Sequence, residues 1–86
     1  MQRDAAIIDV RTPQEYNGGH VSGAINIPLD TIRGRMNEIK SMNKPIITCC
    51  ASGARSGSAA AELKSNGVEA VNGGPWTTVD RVKNAG

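Results

Sequence analysis

Ile46-Ile47-Thr48-Cys49-Cys50-Ala51-Ser52-Gly53-Ala54-Arg55-Ser56 is the stretch on which the reading of this chain turns. Its first residues are an apolar, β-branched run of the kind that forms a buried strand. Its last residues lead into Ser58-Ala59-Ala60-Ala61-Glu62-Leu63, an alanine-rich run of high helix propensity. Between them, Cys50 to Ser56 form a loop of small residues at a strand-to-helix junction. Such a loop points backbone N–H groups into its hollow, and the helix adds the positive end of its dipole, worth about half an elementary charge. A cysteine there is favoured as thiolate over thiol, because the anion has donors waiting. Arg55 adds a permanent cation able to face the same hollow. The residues themselves thus read as a nucleophilic cysteine, Cys50, in an anion-binding cradle.

Working outward, the same alternation repeats. Upstream, Ala5 to Val10 is a continuous apolar run interrupted by Asp9, as expected of a strand covered on both faces. Thr12-Pro13-Gln14-Glu15 carries a helix start, with Thr12 as cap, Pro13 at the first helical position and Glu15 completing a capping box. Gly18-Gly19 ends that helix after little more than a turn. Ala24 to Ile27 is a second strand closed by Pro28. Asp30 is expected to cap a helix whose apolar stripe is Leu29, Ile32, Met36 and Ile39, stopped by Asn43-Lys44-Pro45. Downstream, a helix from about Ser56 to Asn66 ends at Gly67, a left-handed cap position. Val68 to Val71 reads as a fourth strand, Gly73-Gly74-Pro75-Trp76 as a turn, and Thr77 to Lys83 as a last helical piece. The expectation is one α/β domain over residues 1–86, with a small, mostly parallel sheet of four to five strands flanked by helices. Ligands of such sheets sit beyond the carboxyl ends of the strands, which is where Cys50 falls.

Composition bounds the chemistry. Eighty-six residues suffice for one modest core, and 38% hydrophobic with 21% charged residues suits a globular chain. Phe is absent, and Tyr16 and Trp76 are the only aromatics, so Ile, Val, Leu, Met and Ala must fill the interior. A net charge of +2 from scattered basic residues gives no nucleic-acid footprint, and no apolar run reaches membrane-spanning length. Two free thiols without a visible export signal point to the cytoplasm, or to the periplasm had a signal been removed. Met1-Gln2-Arg3-Asp4 makes an abrupt start, of the kind left where a longer chain is cut. Cys49 and Cys50 are adjacent, which strains any disulfide between them and leaves no structural bridge. The single histidine, His20, has no metal-ligand spacing to the cysteines, so neither metal nor other cofactor is expected.

Three motifs carry a family resemblance. Asp9-Val10-Arg11-Thr12-Pro13-Gln14-Glu15-Tyr16 followed by Gly19-His20-Val21-Ser22-Gly23-Ala24-Ile25-Asn26-Ile27-Pro28 resembles the first signature of rhodanese-homology domains. Cys50 to Ser56 resembles their active-site loop. Gly73-Gly74 followed by Trp76 resembles their closing G-G-x-x-W motif with one residue missing. The strand and helix that usually precede the first signature are lacking, as in a minimal single-domain form. The resemblance implies a sulfurtransferase that takes a sulfane sulfur from thiosulfate or a protein persulfide and passes it to cyanide or a thiol. It implies Cys50 as persulfide carrier. Backbone N–H groups of Ala51, Ser52, Gly53, Ala54, Arg55 and Ser56 would cradle the outer sulfur, with Arg55 orienting the donor and Gly53 permitting the tight turn. The partners it implies are a small sulfur donor or acceptor, or a persulfide-carrying protein.

Other readings stand beside this one. Cys49, following the strand, reads as a small buried hydrophobe. Asp9, Arg11 and Glu15 read as capping and ion pairing, His20 as a satisfied turn residue, and Trp76 as a packing anchor near the site. Phosphatases and arsenate reductases also set a cysteine and an arginine around an anion loop, but their loops hold five residues between the two, against four here. A non-catalytic regulatory module would more simply have lost Cys50. Redox sensing through Cys49 and Cys50 is opposed by their geometry.

Overall fold

A computed structural model describes residues 4–85, so the expectation drawn from Met1-Gln2-Arg3 lies outside the described residues. Four strands form one parallel sheet in the order β2-β1-β3-β4: β1 Ala6–Asp9, β2 Ile25–Asn26, β3 Ile46–Cys50 and β4 Ala70–Pro75. Helices α1 Pro13–Asn17, α2 Met36–Ser41, α3 Ala54–Ser65 and α4 Trp76–Ala85 connect and flank them. This is the α/β architecture that the alternating runs predict.

Both faces of the sheet are covered because successive strand residues point to opposite sides. Ile8, Ile46 and Cys50 join Met36 and Ile39 of α2 and Ala59, Ala60 and Leu63 of α3 in one apolar cluster. Ile7 and Cys49 join Val21, Ala24 and Val79 of α4 in the other, against Tyr16 and Trp76. The two adjacent cysteines therefore belong to different faces of the molecule.

The start of α1 follows the sequence closely. Thr12 Oγ1 accepts from Glu15 N–H at 3.2 Å while Thr12 N–H donates to Glu15 Oε1 at 3.1 Å, a complete capping box. Gly67 takes the left-handed conformation at φ 83° just past α3, as expected. Three expectations are corrected. The stripe from Leu29 to Ile39 is not one helix: single 3-10 turns at Leu29–Thr31 and Arg33–Arg35 precede α2, and Arg35, at φ −112° and ψ 16°, breaks the helical path. Its apolar residues still reach the core, with Ile32 and Ile39 each 1% exposed. Asp30 does not cap, since it lies inside the first turn and Pro28 occupies the cap position without a side-chain bond.

The third correction concerns β4, which begins at Ala70 and runs through Gly73-Gly74-Pro75 where a turn is expected. A register shift between Thr48 and Cys50 lets β4 follow β3 to its end, pairing Cys50 with Pro75. Gly73 makes the close approach: a Cβ there would lie 2.8 Å from Ile47 Cγ2, from Thr48 O and from Val79 Cγ2.

Candidate active site

Cys50 ends β3, and α3 begins at Ala54, so only Ala51, Ser52 and Gly53 separate the strand from the helix. Gly53 holds the turn at φ 102°, a conformation that residues with a Cβ rarely adopt. This bend brings donors onto one atom. Gly53 N–H donates to Cys50 Sγ at 3.0 Å and Ser56 N–H at 3.3 Å, with Ser56 Oγ also 3.3 Å away. Cys50 is fully buried. Burial alone pushes its thiol up, but the Ser56 hydroxyl and the amides of Ser56, Gly53 and Ser52 outweigh it, and the thiol lies below its ordinary value.

Cys49 shows the contrast one residue away. Facing the other apolar cluster, its thiol is pushed up to about 12, first by burial and then by the charges of Asp9 and Cys50, against the pull of Arg11. The two sulfurs differ because the chain turns donors toward one and hydrocarbon toward the other.

Around the loop lies a second layer. Thr48 Oγ1 donates to Ser56 O at 2.8 Å, tying the first turn of α3 to β3. Asn72 of β4 donates through Nδ2 to Gly53 O at 3.1 Å, and its Oδ1 accepts from Gly74 N–H at 2.9 Å and from Ser56 Oγ at 2.6 Å. Ser56 has one hydroxyl proton and three acceptors within reach: Asn72 Oδ1, Gly53 O at 3.2 Å and Cys50 Sγ. While Cys50 is a thiol, its S–H can donate to Ser56 Oγ; once it ionises, the hydroxyl can turn to the sulfur.

Arg55 projects from the first turn of α3 and meets Glu15 of α1. Its Nη1 and Nη2 donate to the two carboxylate oxygens at 2.8 and 2.9 Å. That fork, with help from Thr12, holds the Glu15 carboxyl down to about 2. Behind it, Arg11 forms a buried fork with Asp9, its Nη2 2.8 Å from Oδ2. The same Nη2 donates to Gly19 O at 2.6 Å, and the guanidinium lies 4.9 Å from the centroid of Trp76. His20 stacks on Tyr16 at 3.7 Å and its Nδ1 lies 2.8 Å from Tyr16 O, a satisfied turn residue.

Of the loop residues picked out in the sequence, Gly53 and Ser56 are in direct contact with the Cys50 sulfur, and the Ser52 amide also favours its ionised form. Arg55 is turned toward Glu15. Asn72 escaped notice in the sequence, where only its place before the glycine pair sets it apart. That Glu15 takes part in an ion pair was legible; that its partner is Arg55, 40 residues away, was not.

The Rhodanese-like domain family matches residues 1–74 of the chain. "Uncharacterized protein YqhL" of Bacillus subtilis is 49% identical over 65 residues, 76% of this chain and 51% of that protein. "Putative sulfur carrier protein YrkF" of the same organism is 40% identical over 65 residues, 76% of this chain and 35% of that protein. The chain thus spans about half and about a third of the lengths of these two relatives. Among solved structures, a rhodanese with anions from E. coli superposes with a TM-score of 0.77 at 34% identity, covering 86% of this chain and 89% of that one. A family match over residues 1–74, with a similar solved rhodanese at 34% identity, establishes that the chain belongs to the Rhodanese-like domain family.

Proposed function

We propose that the domain is a sulfurtransferase in which Cys50 carries the sulfur as a persulfide. One observation carries the reading: a buried cysteine sulfur receives two backbone N–H donors, with a serine hydroxyl beside it, from a tight turn at a helix N-terminus. This favours the anionic form of the sulfur and requires no separate base, since a thiolate attacks sulfur directly.

The step runs as a displacement. The Cys50 thiolate attacks the outer sulfur of a donor, the donor's S–S bond breaks, and the leaving group departs with the bonding electrons. A second nucleophile, a thiolate or cyanide, then takes the outer sulfur and returns Cys50 to its thiolate. Amides of Ala51, Ser52, Gly53, Ala54, Arg55 and Ser56 form the cradle in which the transferred sulfur rests. The relative named as a sulfur carrier and the similar structure described with anions support a site for anionic sulfur. The partners are a small sulfane-sulfur compound or a persulfide on another protein.

Intact-protein mass spectrometry after incubation with thiosulfate or a thiol persulfide tests this on the wild type, Cys50→Ser and Cys49→Ser. One added sulfur on the wild type and Cys49→Ser, absent from Cys50→Ser and removed by cyanide, is expected. Turnover of an aryl phosphate that depends on Cys50, without any sulfur gain, would replace this reading with a phosphatase.

A further inference from the structure

The loop's cation is already matched. Both terminal nitrogens of Arg55 are given to Glu15, whose carboxylate also accepts from Thr12 N–H and Oγ1 at 3.1 Å each. Arg11 is matched in the same way by buried Asp9. The Arg55 guanidinium is held above its ordinary value, first by its hydrogen bonds to Glu15 and less by the charges of Glu15, Cys50 and Asp9. With Cys50 ionised, the two cations are outnumbered by three anions. No net side-chain cation is left for an incoming donor, whose charge must be met by the loop amides and the start of α3 alone.

The charge on the donor then decides how hard the step is. When the thiolate attacks thiosulfate, the S–S bond breaks to release sulfite, and three negative charges share the transition state. When it attacks the outer sulfur of a protonated persulfide R–S–SH, the S–S bond breaks to release R–S⁻. The proton stays on the transferred sulfur, and one negative charge is shared throughout. A site with an unpaired arginine would compensate for the first case. Here Glu15 has cancelled it.

We infer that Glu15 selects the sulfur donor by charge, so that persulfides carrying little charge, on a thiol or a protein cysteine, are used in preference to dianions such as thiosulfate. This rests on the sulfur-transfer reading above and adds a specificity residue to it.

Methanethiosulfonate is the probe, because it replaces one charged oxygen of thiosulfate by a methyl group and delivers the same sulfane sulfur as a monoanion. Rates of Cys50 persulfide formation are measured by intact mass for both donors, at low and high salt, in the wild type and Glu15→Gln. In the wild type, added salt should speed thiosulfate more than methanethiosulfonate, because screening relieves repulsion between like charges. At low salt Glu15→Gln should gain about fivefold with thiosulfate and about twofold with methanethiosulfonate, the dianion feeling the lost charge twice. Glutamine keeps an oxygen able to accept from Thr12, and the salt series on the unaltered protein stands without any variant.

A thiosulfate rate that falls with salt, or equal gains for both donors in Glu15→Gln, overturns the selection while leaving sulfur transfer intact. Failure of thiosulfate, methanethiosulfonate and a thiol persulfide alike to place sulfur on Cys50 overturns the sulfur-transfer reading and the selection with it.

Discussion

Ser56 and Asn72 should act on Cys50 in opposite directions, because both draw on one hydroxyl proton. The Ser56 hydroxyl stabilises the thiolate only when it turns from Asn72 Oδ1, 2.6 Å away, to the sulfur at 3.3 Å. A hydrogen bond to a charged group is worth about 1.5–3 kcal/mol, and one pKa unit corresponds to about 1.4 kcal/mol. Ser56→Ala should therefore raise the apparent pKa of Cys50 and slow persulfide formation at pH values below that pKa, where the thiolate is the minor form. Asn72→Ala removes the competing acceptor and should shift the pKa the other way, by less, because Gly53 O also loses its tether. Thiolate absorbance in the ultraviolet, with Cys50→Ser as the blank, reads both. Shifts of the same sign would mean that Asn72 only braces the loop. The cradle donors are backbone groups and were legible as a class from a small-residue loop before a helix. Asn72 was not, because its partners are set by the β3–β4 register shift, which no local pattern encodes.

At the scale of elements, what was legible depended on whether a local signal sufficed. The capping box at Thr12 and the stop at Gly67 are local chemistry, and both ends fall where expected. The stripe from Leu29 to Ile39 has helical spacing, yet the sheet needs only its apolar side, and two 3-10 turns deliver that as well as one helix does. The pair Gly73-Gly74 suggests a turn, whereas Gly73 is required by contact: β4 lies against β3 and α4 too closely for any side chain. Gly73→Ala places a methyl 2.8 Å from Ile47, Val79 and the carbonyl of Thr48, two of them packed side chains and one backbone. The cost should be at least about 2 kcal/mol, which lowers the melting temperature by roughly 10 °C in a domain of this size. Calorimetry or thermal circular dichroism checks it. A variant melting within a degree or two of the wild type would show that β4 yields easily.

At the scale of the whole molecule, the Glu15–Arg55 pair spans the carboxyl end of the sheet. It joins α1, whose Tyr16 packs in one apolar cluster, to α3, whose Ala59, Ala60 and Leu63 pack in the other. Both side chains are 36% exposed, so solvent and salt screen the pair, and its contribution to stability is modest. Its pH dependence is nevertheless distinctive. Glu15 ionises at about 2 in the folded protein, against an ordinary 4.5, chiefly through Arg55. Because the folded value is the lower one, the stabilisation is complete above pH 4.5 and is lost as pH falls toward about 2. In a melting series from neutral to acid pH, the wild type should exceed Glu15→Gln by a constant small margin above pH 4.5, and the margin should close below it. Glu38, also lowered by its bond to Arg35, titrates in both proteins and cancels in the difference. Added salt should shrink the margin at neutral pH, as it does for exposed pairs. A margin that held unchanged into strong acid would mean that Glu15 steadies α1 through its bonds to Thr12 alone. The link between the two faces would then have to be sought in the buried Asp9–Arg11 fork.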